Sequence, residues 1–191
     1  FITLHTTVYY TFFFFFLMIR RPPISTLFPY TTLFRSIDMI KKYSVNVLND
    51  LTTTAKAAER KRINLNIHES TDAAVQRLFM AVEPETYIRP HRHPQAHKWE
   101  LFIVLEGEMD LLLFNDLGEI VERINLSATT TRAVEMPPNT WHSYVCKKSG
   151  TLALEIKEGA YLPSPEEDFL SMSPAENTAE TAAYLQWMKN I

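Results

Sequence analysis

Three of the six histidines in this 191-residue chain fall between positions 91 and 97. In Tyr87-Ile88-Arg89-Pro90-His91-Arg92-His93 the two histidines stand two residues apart. On an extended chain both rings therefore project from one face, about 7 Å apart at the backbone. Two imidazoles placed this way can converge on one ion at metal–nitrogen distances of roughly 2.0–2.1 Å. Glu100 opens the apolar segment that ends at Gly107 and can bring a carboxylate across from a hairpin partner, while Pro137-Pro138-Asn139-Thr140-Trp141-His142 puts a third imidazole just after a turn. Neutral imidazoles with one carboxylate form a mixed nitrogen and oxygen set. Such a set suits one divalent transition metal, whether Fe, Mn, Ni, Cu or Zn, better than Ca or Mg.

Positioning these groups requires strands. Ile63, Leu65 and Ile67 alternate with Asn64, Asn66 and His68, and the period of two continues through short runs near 75–83, 86–93, 99–106, 108–114, 119–124, 132–136, 140–146 and 151–157. Turn residues at Asn115-Asp116-Leu117-Gly118 and Lys148-Ser149-Gly150 separate them. Many short strands without intervening helices predict an antiparallel sandwich or barrel. Before the strands, Ile40, Tyr43, Val47, Leu48, Leu51, Ala55 and Ala58 recur at helical spacing, which predicts one amphipathic helix over 39–60. After them, Ser173-Pro174-Ala175-Glu176 reads as a capping box that opens a C-terminal helix carrying Tyr184, Leu185, Trp187 and Met188. Strand parity puts Tyr87 and Arg89 with His91, and Tyr144 with His142. Asn64, Asn66 and His68 form a polar face beneath the N-terminal helix. Arg77, Tyr87, Arg89, His97, Tyr144 and Lys157 are the expected substrate-binding residues, with Arg77, Arg89 or Lys157 available to an anionic group.

The formal charge of −3 gives no reason to expect nucleic acid or an anionic membrane as partner. A single cysteine, Cys146, excludes an intrachain disulfide and a Cys-rich zinc module, and four scattered glycines build no phosphate loop. Of the 23 aromatic residues, 11 fall in the first 38 positions, which marks a boundary there. The apolar stretch from Val8 to Ile19 is too short for the ~20 residues of a membrane span. Residues 26–36, TLFPYTTLFRS, resemble the in-frame translation of a sequencing adapter, so residues 1–38 are read as a non-native leader and 39–191 as a single domain, with its barrel over 62–157 and a crossing segment and helix over 158–191. The domain so defined is mildly acidic and is expected to be cytoplasmic.

The same residues resemble the cupin superfamily, whose two motifs are G-x5-H-x-H-x3,4-E-x6-G and G-x5-P-x-G-x2-H-x3-N. His91, His93, Glu100 and Gly107 match the first, and Pro137 and His142 the second. RINLNIHES, QRLFMAVEPETYIRPHRH, KWELFIVLEGEM and PPNTWH are similar to the WbuC family of cupin-fold metalloproteins, often associated with O-antigen and other surface-polysaccharide loci. Glu85, Thr131, Asn139 and Cys146 depart from the motifs. Asn139 is the mildest departure, because Asn tolerates the left-handed conformation. The gap from His93 to Glu100 is long, and His97 stands at the usual Glu spacing. Glu100 keeps the E-x6-G distance and is the preferred ligand, with His97 at the cavity mouth.

The resemblance implies a mainly β cupin (double-stranded β-helix or jelly-roll) barrel with a helix at each end, a metal held by His91, His93, Glu100 and His142, and a homodimer. It further implies an enzyme that acts on a sugar or nucleotide-sugar intermediate of surface-polysaccharide biosynthesis, by isomerisation, epimerisation or related Lewis-acid chemistry. The catalytic residues stay unassigned. Two alternatives stand beside it: an Fe(II)-dependent dioxygenase, and a non-catalytic sugar-binding or regulatory cupin whose metal is structural.

Overall fold

Alternation along each strand decides which side chains enter the core, and the chain's architecture follows from pairing those faces. The computed structural model describes residues 40–191, and the leader read over 1–38 lies outside them. Helix α1 (Val45–Ala57) precedes eight strands: β1 (Arg62–Asn66), β2 (Val75–Val82), β3 (Glu100–Glu106), β4 (Glu108–Phe114), β5 (Ile120–Ser127), β6 (Ala133–Met136), β7 (His142–Cys146) and β8 (Thr151–Glu158). A 3-10 turn (Glu166–Asp168) and helix α2 (Thr181–Asn190) follow. The strands pair antiparallel into one sheet of order β1-β2-β8-β3-β6 and another of order β5-β4-β7. This is a mainly β fold built on two antiparallel sheets. Among the described residues no helix is long and apolar enough to cross a membrane.

Both sheets supply the core between them: Met80, Val82, Phe102, Val104 and Ala153 from one, Met109, Leu111, Leu126, Tyr144 and Cys146 from the other. Four strands change character along this inner face. β2 runs inward from Val82 and Met80 to Gln76, β3 from Val104 and Phe102 to Glu100, β7 from Cys146 and Tyr144 to His142, and β8 from Ala153 to Glu155 and Lys157. One end of the barrel is thus packed with apolar side chains, and the other carries polar groups that need partners.

The outer faces are covered by the helices. α1 is capped by Ser44, whose hydroxyl accepts from the Val47 amide at 3.4 Å. Its Leu48, Leu51 and Ala55 pack with Ile63, Leu65, Phe79, Ala81 and Leu152 on the larger sheet. The β1 residues Asn64 and Asn66, and His68 just past the strand, therefore line the cavity on the opposite face, and the apolar alternates lie beneath the helix. α2 buries Leu185 and Met188 against Leu112, Phe114 and Val145 on the smaller sheet and against Tyr87.

Two segments differ from the sequence reading. Residues 86–93 form no strand; His91 alone makes isolated bridges, to His142 and Phe169. Pro90 within the segment, and Pro84 and Pro94 flanking it, have no amide to donate to a ladder, so the segment pairs only at isolated positions. Helix α2 begins at Thr181, not after Ser173. The Ser173 hydroxyl donates to Leu170 O at 2.6 Å, and Glu176 is drawn into ion pairs with Arg60 and Arg62 at 2.7 and 2.5 Å, so neither residue is free to close a capping box.

The turn from β3 to β4 depends on Gly107, which has φ +83°. A Cβ there would lie 2.3 Å from Thr151 Oγ1 and 2.7 Å from Thr151 Cα. Gly107→Ala is expected to cost about 2–4 kcal/mol from left-handed strain and the displaced β8 backbone, lowering the melting temperature by roughly 5–15 °C. A thermal melt within about 2 °C of the parent would show that the turn relaxes.

Candidate metal centre

His91, His93 and His142 come together at the polar end of the barrel, each offering a ring nitrogen within 4.8 Å of the others. The loop before β3 and the start of β7 are joined there by paired amides, His91 N to His142 O at 3.0 Å and His142 N to His91 O at 2.9 Å. The turn that delivers His142 uses Asn139 at φ 64°, the left-handed conformation for which Asn is suited. The Asn139 amide donates to His93 O at 2.7 Å and ties the two histidine segments a second time.

Hydrogen bonds orient the rings. Nδ1 of His91 lies 2.9 Å from Arg89 O, and Nδ1 of His142 lies 2.9 Å from Thr140 O. A carbonyl only accepts, so each Nδ1 carries the proton and each Nε2 keeps its lone pair. Burial holds the His91 imidazole well below its ordinary pKa, with His142 and His93 acting in the same direction. Burial lowers His93 as well, against the attraction of Glu100. Neutral imidazole is the form that binds a metal.

Glu100 stands beside two of the three rings, its Oε2 3.6 Å from His93 Nε2 and 3.7 Å from His142 Nε2. Its other oxygen accepts from the Tyr144 hydroxyl at 3.0 Å. Burial opposes ionisation of this carboxyl, but Lys157 together with His142 and His93 outweighs it and holds the group well below the carboxylate range. His93 Nε2, His142 Nε2 and Glu100 Oε2 are all buried with no hydrogen-bond partner. Three buried polar atoms turned toward one another without a partner carry a desolvation cost that a bound cation would relieve. Donors bound to one ion at about 2.1 Å stand roughly 3.0–3.4 Å apart, so the spacing found is close to that of a ligand set.

A cavity of about 490 Å³ opens beside the cluster and is lined by His91, His93, Asn64, Asn66, Lys98 and the β8 pair Glu155 and Lys157, among others. Lys157 Nζ lies 2.5 Å from Glu155 Oε1 and 3.9 Å from Glu100 Oε2. Desolvation would lower the ammonium, but the two carboxylates raise it further. Burial raises the Glu155 carboxyl despite Lys157. The cavity thus holds a buried carboxyl that keeps its proton more readily than an exposed one.

The expected substrate residues are placed unevenly. Lys157 and Arg89 line the cavity, but Arg89 is engaged with Glu166 at 2.7 and 3.1 Å and lies over the Phe169 ring at 4.7 Å. Arg77 faces outward, because on β2 the inward positions are Gln76, Leu78 and Met80. Tyr87 packs beneath α2 and its hydroxyl donates to Pro174 O at 2.9 Å, so it does not share the face of His91. Tyr144 is engaged by Glu100. His97 is exposed beside Gly159, outside the imidazole cluster. Sequence reasoning missed Glu155 and Lys98, although the inward parity of Ala153 would have found Glu155.

Residues 43–126 match a family described as a domain of unknown function, DUF6016. No curated protein matches the chain. Solved structures similar to it include KdgF from Halomonas sp., 16% identical over 52% of this chain and 82% of that one, with a TM-score of 0.41. L-ribose isomerase from Cellulomonas parahominis is 13% identical over 59% of this chain and 70% of that one, with a TM-score of 0.46. TT1209 from Thermus thermophilus is 16% identical over 63% of this chain and 98% of that one, with a TM-score of 0.46.

Proposed function

We propose that the chain is a metal-dependent cupin enzyme that isomerises or epimerises a sugar or nucleotide-sugar intermediate of surface-polysaccharide biosynthesis. The reading rests on one observation: three buried, unpartnered donor atoms of His93, His142 and Glu100 face one another next to His91, at the edge of a polar cavity. His91, His93, His142 and Glu100 would hold a divalent transition metal, which when bound polarises a carbonyl or hydroxyl oxygen. Tyr144 fixes the Glu100 carboxylate through its hydroxyl. Glu155 is the acid–base group: its carboxylate takes a proton from the carbon beside the substrate carbonyl and returns it to the neighbouring carbon, while the hydroxyl proton moves to the old carbonyl oxygen. Lys157 holds Glu155 in place and steadies it when ionised.

Deuterium exchange tests this reading. Metal-reconstituted protein incubated with a panel of aldoses and ketoses in D2O is expected to place deuterium on one substrate carbon, and Glu155→Gln is expected to lose roughly 100-fold or more in exchange rate while keeping its metal. Oxygen uptake without exchange would replace the isomerase by the dioxygenase. Metal retention with neither would leave the binding protein.

A further inference from the structure

The cavity wall is rich in cations, but nearly all are already paired. Arg60 and Arg62 share Glu176, Arg89 is held by Glu166, and Lys157 by Glu155 and Glu100. Lys98 is different. It lines the same cavity beside Gly159, and among the described residues no carboxylate comes within 4.0 Å of its ammonium; Asp168 acts on it only at longer range. Across the cavity, β1 presents Asn64 and Asn66 at alternate positions, about 7 Å apart along the strand. Their amides have no side-chain hydrogen bonds among the described residues, whereas Gln76 nearby is fastened to the carbonyls of Thr71 and Ala73 at 3.1 and 2.9 Å. A free amide both donates and accepts, as a hydroxyl does, and a free ammonium asks for an anion.

We infer that the cavity takes an acidic sugar, with its carboxylate or phosphate on Lys98 and its hydroxyls on Asn64 and Asn66. The inference rests on the reading of this cavity as a sugar site and assigns the anion to a residue outside the metal ligands. Arg77, Arg89 and Lys157, the cations that the sequence offers to an anionic group, are respectively turned outward, paired, and paired.

Calorimetric titration with glucose, glucuronate and glucose 6-phosphate tests it, on the metal-loaded protein and after chelation. At least one acidic sugar is expected to bind about tenfold or more tightly than glucose. Lys98→Met should erase that preference while metal content stays at the parental level, and Asn64→Ala should weaken neutral and acidic sugars alike. Arg77→Met should change nothing. Because Lys98 is not a ligand, its contribution persists after chelation, which separates this inference from the metal reading. A preference that survives Lys98→Met would place the anion on the metal or elsewhere and overturn the inference. Equal binding of glucose and both acidic sugars by the parent, or no binding of any, would overturn it as well, whatever the metal content.

Discussion

His142→Ala is expected to abolish stoichiometric metal binding, with a loss in affinity larger than the roughly 10–100-fold that outer partners of a metal site contribute. The residue supplies an oriented Nε2 to the cluster, and its backbone is paired with that of His91, so the substitution removes a donor while leaving the strand pairing in place. Glu100→Gln should also lose affinity strongly, because it replaces the anionic oxygen that faces His93 and His142 by a neutral amide. His97→Ala should leave affinity within about twofold of the parent, well inside one decade of binding constant. Equilibrium dialysis of the three variants against Zn(II) measures the order. If His97→Ala lost as much as Glu100→Gln, the fourth ligand would move to the loop before β3.

The second large effect is on stability. An ion that binds only the folded chain stabilises it by about 4 kcal/mol at roughly a thousandfold excess over its dissociation constant. For a domain of this size that corresponds to roughly 8–16 °C in melting temperature. Chelation at about pH 7.5 should therefore lower the melting curve by about 10 °C. Acid acts further on the chelated protein. His91 and His93 have folded pKa values below the ordinary 6.5 or so, so below that pH the unfolded chain binds more protons than the folded one. Stability is fully present above about pH 6.5 and declines as pH falls toward the depressed folded values. Burial also weakens proton competition for the folded site, so the ion should persist to lower pH than ordinary histidines would allow. A melting curve indifferent to chelator at about pH 7.5, and flat from about pH 7 to 5, would show that the histidines only decorate the barrel.

The site was legible where chemistry and alternation coincide. His91 and His93 share a face by their spacing, Glu100 and His142 open otherwise apolar strands, and the structure brings the three imidazoles together beside Glu100. Asn139 was legible for a similar reason, since few other residues accept φ 64°. Parity failed where the chain leaves the ladder. Tyr87 and Arg89 were assigned by alternation through 86–93, but the prolines in and around that segment keep it out of a continuous ladder and Tyr87 turns beneath α2. Arg77 was chosen for its charge although Gln76, Leu78 and Met80 already occupied the inward positions. The false capping box at Ser173 has another cause. Arg60 and Arg62, more than a hundred residues upstream, draw Glu176 away, and no local pattern records a partner so distant.

Metal content per chain tests the central claim most directly. The protein is stripped with chelator, dialysed near neutral pH against separate Zn(II), Mn(II) and anaerobic Fe(II) solutions, passed over a desalting column and measured by inductively coupled plasma mass spectrometry. The arrangement of His91, His93, His142 and Glu100 predicts close to one tightly held ion per chain for at least one of these metals, and none in a chain carrying His91→Ala and His93→Ala together. Retention far below one ion for every metal, or equal retention by the doubly substituted chain, would contradict it.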